Sequence, residues 1–161
     1  MLKLSDMNPR DAIFKAFETV RHPGNENLLH QAPSYMDDSD VSFLYPYEGK
    51  KWSEIDRRAL VVEGSCLTAL SDSGLLYVIP AYLLEFIRGD DYEDPNGWVD
   101  RLLEVLAHKG RGNLKLTPLQ KKVIDDLFLK ELEKTWEQYG RQGTCCSDHW
   151  DVLIAKARES Y

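Results

Sequence analysis

The chain has 161 residues, 43% of them hydrophobic and 29% charged, and a net charge of −7 at neutral pH. That length suits one domain able to bury a core without disulfides or a structural metal, and an aromatic content of 11% argues against disorder. The acidic balance excludes a general binder of phosphate backbones, which needs a basic footprint to release counterions, while it steers basic partners toward the surface.

The first residues, MLKLSDMNPRDAIFKAF, carry Lys3, Asp6, Arg10 and Asp11 and no apolar run ahead of a small-residue cleavage site. No secretory signal is read there, and a cytoplasmic location is expected. The cysteines, Cys66, Cys145 and Cys146, are odd in number, and a disulfide between adjacent residues would be strained, so reduced thiols are expected.

Asn8 and Pro9 read as N-cap and first residue of a helix in which Ile13, Phe17 and Val20 recur at helical spacing until HPG at residues 22–24. A short helical segment, NENLLHQA, is followed by the polar and aromatic passage PSYMDDSDVSFLYPYEGKKW, where prolines, a glycine and carboxylates predict a surface loop. Ser53 with Asp56 resembles a capping box before a helix over residues 54–70, with Ile55, Val62, Cys66 and Leu70 inward and Gly64 weakening it. The alternative over residues 65–80 is a β-hairpin, SCLTAL and LLYVI joined across SDSG, because Val, Ile and Tyr favour strands.

The most apolar stretch, GLLYVIPAYLLEFIRGD at residues 74–90, contains Glu85 and Arg88 and falls short of the roughly 20 apolar residues that a membrane span needs. Pro80 is predicted to open a helix, PAYLLEFIR, that Gly89 stops, with Tyr82, Leu83, Phe86 and Ile87 on a wide apolar face. Asp94 and Pro95 then cap a helix carrying Val99, Leu102, Leu103 and Leu106, ended by Gly110. Thr117, Pro118, Leu119 and Gln120 spell a T-x-x-Q capping box for a long helix through Leu119, Val123, Leu127 and Phe128 to Tyr139, stopped by Gly140. Ser147 or Asp148 caps a last helix whose inner face is Trp150, Leu153, Ile154 and Ala157. The expected fold is therefore all-α, a compact single-domain helical bundle of about six helices over residues 1–161, with α+β through the hairpin as the alternative.

Three segments in order, GKKWSEI (residues 49–55), IPAYLLEF (79–86) and LTPLQKKVIDDLF (116–128), together resemble a family of small bacterial proteins of unknown function. Its members show G-x-x-W-x-x-I, then a tyrosine-rich L-P-A-Y-L, then L-T-x-x-Q opening a late helix. The resemblance covers roughly the first four fifths of the chain. The sequence departs from it at Ile79, where leucine is usual, and at GLLYV, where a more aromatic stretch is expected. The resemblance implies an intracellular, mainly helical domain and carries no activity or catalytic residues to transfer.

For chemistry, Cys145, Cys146, Asp148 and His149 offer zinc-ligand types at a spacing unlike that of structural zinc sites, and Cys66 would have to supply a distant ligand. Asp90, Asp91, Glu93 and Asp94 form an acidic loop, but no EF-hand register fits: with Gly97 sixth, Tyr92 is first and Leu103 twelfth. No P-loop, G-x-G-x-x-G, G-x-S-x-G or H-E-x-x-H is present, and HKGRGN at residues 108–113 lacks the strand a phosphate loop follows. No cofactor, metal or nucleic-acid partner is expected. Glu85 either pairs with Arg88 one helical turn on or lies in a pocket with Tyr77 and Tyr82 as the base of a small metal-assisted or acid/base enzyme. The leading expectation is a non-catalytic, protein-binding module, antitoxin- or immunity-like or an adaptor, that meets a basic protein partner through Tyr35, Phe43, Tyr45, Tyr47 and Trp52 flanked by Asp37, Asp38 and Asp40. Oligomeric state is left open by the sequence.

Overall fold

The computed structural model describes residues 7–30, 47–62, 64–89, 97–109, 114–139 and 149–160. Their regular elements are helices: α1 (Pro9–Phe17), α2 (Asn25–Leu28), α3 (Arg57–Val62), α4 (Asp72–Arg88), α5 (Trp98–Lys109), α6 (Pro118–Ile124), α7 (Lys130–Tyr139) and α8 (Trp150–Glu159). Short 3-10 turns cover Trp52–Glu54 and Gly64–Ala69. The expected all-α class holds. The hairpin alternative does not, because residues 65–80 lie in a 3-10 turn and the first half of α4. The extended pairing found among the described residues is one isolated antiparallel bridge between Leu29 and Leu70.

The chain divides into two compact units, Glu18–Arg101 and a discontinuous unit of Met1–Phe17 with Leu102–Tyr161. In the first, α4 is buried on nearly every face: Leu75, Tyr77, Val78, Ile79 and Leu83 are each no more than 1% exposed. The Ser71 hydroxyl caps it by accepting from the Gly74 amide at 2.9 Å, and Gly89 closes it in the left-handed conformation (φ 64°). Pro80 sits inside this helix, which corrects its expected place at a helix start. A proline within a helix costs about 3 kcal/mol through its missing N–H and its ring. Each large apolar side chain that α4 buries returns about 1.5–3 kcal/mol, so continuous burial outweighs the local signal. Leu76, whose carbonyl loses the proline's N–H, lies on a half-exposed side of the helix.

The chain leaving α2 runs beside the chain entering α4. Ser71 donates its amide to the Leu28 carbonyl and His30 donates to the Ala69 carbonyl, each at 3.0 Å, and the Ser71 hydroxyl donates to the Asn27 carbonyl. Gly74 stands so close to the Leu28 carbonyl that a Cβ there would overlap it. The single helix expected over residues 54–70 is broken: Asp56 accepts from the Arg58 amide at 2.7 Å as the cap of α3, which ends at Val62 before Gly64.

In the second unit, Asn8 starts α1 as expected, accepting the Arg10 amide at 2.9 Å on its side chain, although the helix ends at Phe17, short of Val20. The T-x-x-Q box forms in full: the Gln120 amide donates to the Thr117 hydroxyl at 3.2 Å, and the Thr117 amide to the Gln120 side chain at 2.9 Å. Gln120 also donates to the Ala16 carbonyl in the last turn of α1 at 3.1 Å. From α6 the chain passes through one π-helical turn, Asp125–Leu129, straight into α7. Of the expected stripe, Val123 and Phe128 are buried and Leu119 and Leu127 are half-buried; from the π turn onward Phe128, Leu129 and Leu132 carry the inward face. In α8, Trp150, Leu153, Ile154 and Ala157 are the buried face, as expected.

Candidate functional site

Of the expected aromatic and acidic patch, Tyr35, Asp37, Asp38, Asp40, Phe43 and Tyr45 lie outside the described residues. Tyr47 and Trp52 are inside them and are core residues, 3% and 5% exposed. Their segment wraps onto α4: the Tyr77 hydroxyl donates to the Lys50 carbonyl at 2.9 Å and lies 3.4 Å from that of Tyr47. Cys145, Cys146, Asp148, Asp90, Asp91, Glu93 and Asp94 also lie outside the described residues. His149 precedes the first turn of α8.

Tyr77 and Tyr82 do not share a face of α4. Tyr77 and Tyr82 are five residues apart on α4, about 140° around the helix, and the Tyr82 hydroxyl donates to the Leu60 carbonyl at 3.1 Å. Burial, and then the charge of Glu54, push the Tyr77 hydroxyl up to about 12, which keeps it a hydrogen-bond donor at neutral pH. Glu85, itself buried at 9% exposed, pairs with the exposed Arg88 at 3.6 Å, one turn along the same helix, the pairing that its spacing allows.

Among the described residues, a concave feature lies in the second unit, between α7 and α8. A cleft of about 390 Å³ is lined by Glu133, Trp136 and Glu137 from α7 and by Asp151 and Ile154 from α8. The spacing explains the lining: positions 133, 136 and 137 share one helical face, as do 151 and 154. Ile154 forms an apolar floor at 2% exposed, Trp136 is half-buried, and Glu137 and Asp151 are exposed at the rim.

One end of the cleft is electrostatically closed. Arg158 forks onto Glu133 through two bonds of 3.0 and 2.9 Å and donates its Nε to Asp125 at 2.7 Å. These bonds from Arg158 hold the Glu133 carboxyl below its ordinary range, against a smaller opposing effect of burial. Asp126 beside it is pushed up by burial, but bonds from Lys122 and Lys130 together outweigh that and leave it lowered. The carboxylates of this turn are thus matched by cations, while Glu137 and Asp151 at the other end of the cleft make no ion pair with a described residue. Asp151 accepts the Val152 amide at 2.8 Å on one oxygen.

The cleft was missed from the sequence. Its trace is an aromatic flanked by acids, E-K-T-W-E, and a second W-D-x-x-I segment, the first read there only as part of a long helix and the second as a helix face. Among the described residues no three His, Cys, Asp or Glu side chains are grouped to hold a metal ion, and no helix is long and apolar enough to cross a membrane. No protein-family model matches the chain, and neither a curated protein nor a solved structure does.

Proposed function

We propose that this protein is a non-catalytic interaction module of the cytoplasm whose cleft between α7 and α8 receives a basic partner protein, in the manner of an antitoxin, an immunity protein or an adaptor. The observation that supports this reading is the pairing, in one concavity, of an indole and an apolar floor with Glu137 and Asp151. Aromatic anchors set in partly enclosed pockets dominate protein interfaces, and uncompensated rim charge selects a partner of opposite sign and speeds its arrival. The net charge of −7 acts in the same sense over the whole surface. The tyrosine hydroxyls of α4 are committed to backbone carbonyls, so their role in this reading is to hold the first unit together.

Native mass spectrometry of tagged protein purified gently from its host tests the reading. The expected spectrum contains a stoichiometric basic protein that dissociates as salt is raised, and that is lost when Glu137→Lys reverses one rim charge. A partner retained by the Glu137→Lys variant moves the interface elsewhere. A chain that carries a metal or a small molecule in place of a protein overturns the reading in favour of an enzyme.

A further inference from the structure

We infer that the cleft is an arginine receptor: it takes one guanidinium side chain of the partner, laid flat on Trp136 and held at its edges by Glu137 and Asp151. This rests on the reading of the cleft as the partner's docking site and specifies the group it recognises.

The cleft is lined by an indole from one helix, a buried aliphatic floor at Ile154, and one carboxylate on each helix at the rim. A guanidinium matches all three. It is planar and stacks on indole, its N–H groups fan out in one plane to reach carboxylates on two sides, and its alkyl stem can lie on apolar surface. A lysine brings the stem but ends in a compact, strongly hydrated charge that cannot stack and fork at once. A quaternary ammonium is bound by cages of several aromatic rings, and among the described residues Trp136 is the single aromatic that lines the cleft. A metal ion is not matched either, because Glu133 is already engaged by both terminal nitrogens of Arg158.

That internal pair also sets the stoichiometry. Arg158 and Glu133 neutralise one another at one end of the cleft, so Glu137 and Asp151 remain to balance one incoming cation and part of its basic surroundings. The volume of about 390 Å³ lies at the low end of ligand pockets, enough for one long side chain with its flanks and too small for a helix.

The test uses the full chain and two capped tripeptides, acetyl-Gly-Arg-Gly-amide and its lysine counterpart, followed through the indole N–H resonance of Trp136 by NMR. Trp136→Phe assigns that resonance. The expected result is a saturable shift with the arginine peptide, roughly tenfold weaker binding of the lysine peptide, and loss of the arginine response in the Glu137→Gln, Asp151→Asn double variant. Both of those side chains are exposed, so the variant keeps its fold. Equal binding of the two peptides overturns the arginine receptor and leaves the cleft a general basic site. So does an undiminished response in the double variant. A silent Trp136 resonance alongside a basic partner still retained in the native spectrum overturns this inference alone. A silent resonance with no partner retained overturns the reading beneath it as well.

Discussion

Gly74 shows how one residue can reverse an expectation drawn from propensity. In a helix interior, Gly→Ala is worth about 1 kcal/mol in favour of alanine, and Gly74 lies three residues into α4. The structure places its missing Cβ against the Leu28 backbone carbonyl, and the same carbonyl accepts the Ser71 amide. Backbone atoms cannot rotate away as a side chain tip can, so the contact must open. Overpacking of this kind costs about 1–3 kcal/mol, which exceeds the gain in propensity. Gly74→Ala is therefore expected to lower the denaturation midpoint, with hydrogen exchange rising first at residues 25–30. A variant more stable than the parent would mean that α2 does not rest on the start of α4.

Helix ends were legible because their chemistry is local. Thr117 and Gln120 exchange the two bonds that their spacing announces, and Asn8 and Gly89 stand where a cap and a stop were read. Gln120 does a second job that no spacing reveals: it is 4% exposed and ties α6 to the Ala16 carbonyl of α1. The two halves of the box should thus differ when removed. Thr117→Ala removes one capping bond, a loss of about 1 kcal/mol. Gln120→Ala removes the partner of the exposed Thr117 amide and also leaves a buried carbonyl without its side-chain donor, the latter at about 1–3 kcal/mol. Urea denaturation of the two variants checks the order, and equal losses would reduce Gln120 to a cap. Features decided by tertiary packing were not legible. Pro80 carried a start signal that burial along α4 overrode, and the π turn at Asp125–Leu129 shifted the inner register away from Leu127. The cleft belongs to the same class, since its lining comes from two helices whose pairing no periodicity states, and aromatics expected on a loop surface, Tyr47 and Trp52, instead close a core.

At the scale of the whole molecule, acid should act on the two units in sequence. His22 lies in the unit Glu18–Arg101, with its ring edge-on to Tyr77 at 4.9 Å and its Nδ1 accepting the Gly24 amide at 3.0 Å. That bond requires an unprotonated Nδ1, and the buried Nε2 has no hydrogen-bond partner. Burial holds His22 below its ordinary value of 6.5, and the charges of Glu26 and Glu48 offset this only in part. A histidine so lowered gives stability that is complete above the unfolded value and is lost as pH falls through the folded one, because the unfolded chain takes up its proton first. The first loss therefore begins below about pH 6.5 and belongs to this unit. In the other unit, Asp126 and Glu133 are lowered by their cationic partners. Their contribution is intact above the ordinary carboxylate range and fails only as pH drops below about 4. Hydrogen-exchange protection, corrected for intrinsic rate and followed from pH 7 to pH 3.5, should fall first around residues 22–28 and 74–82 and later along α6, α7 and α8. His22→Gln should abolish the early stage and leave the late one in place. Simultaneous loss in both units, unchanged by that substitution, would show that the His22 contact with Gly24 contributes nothing to the acid limit and that the carboxylates set it alone.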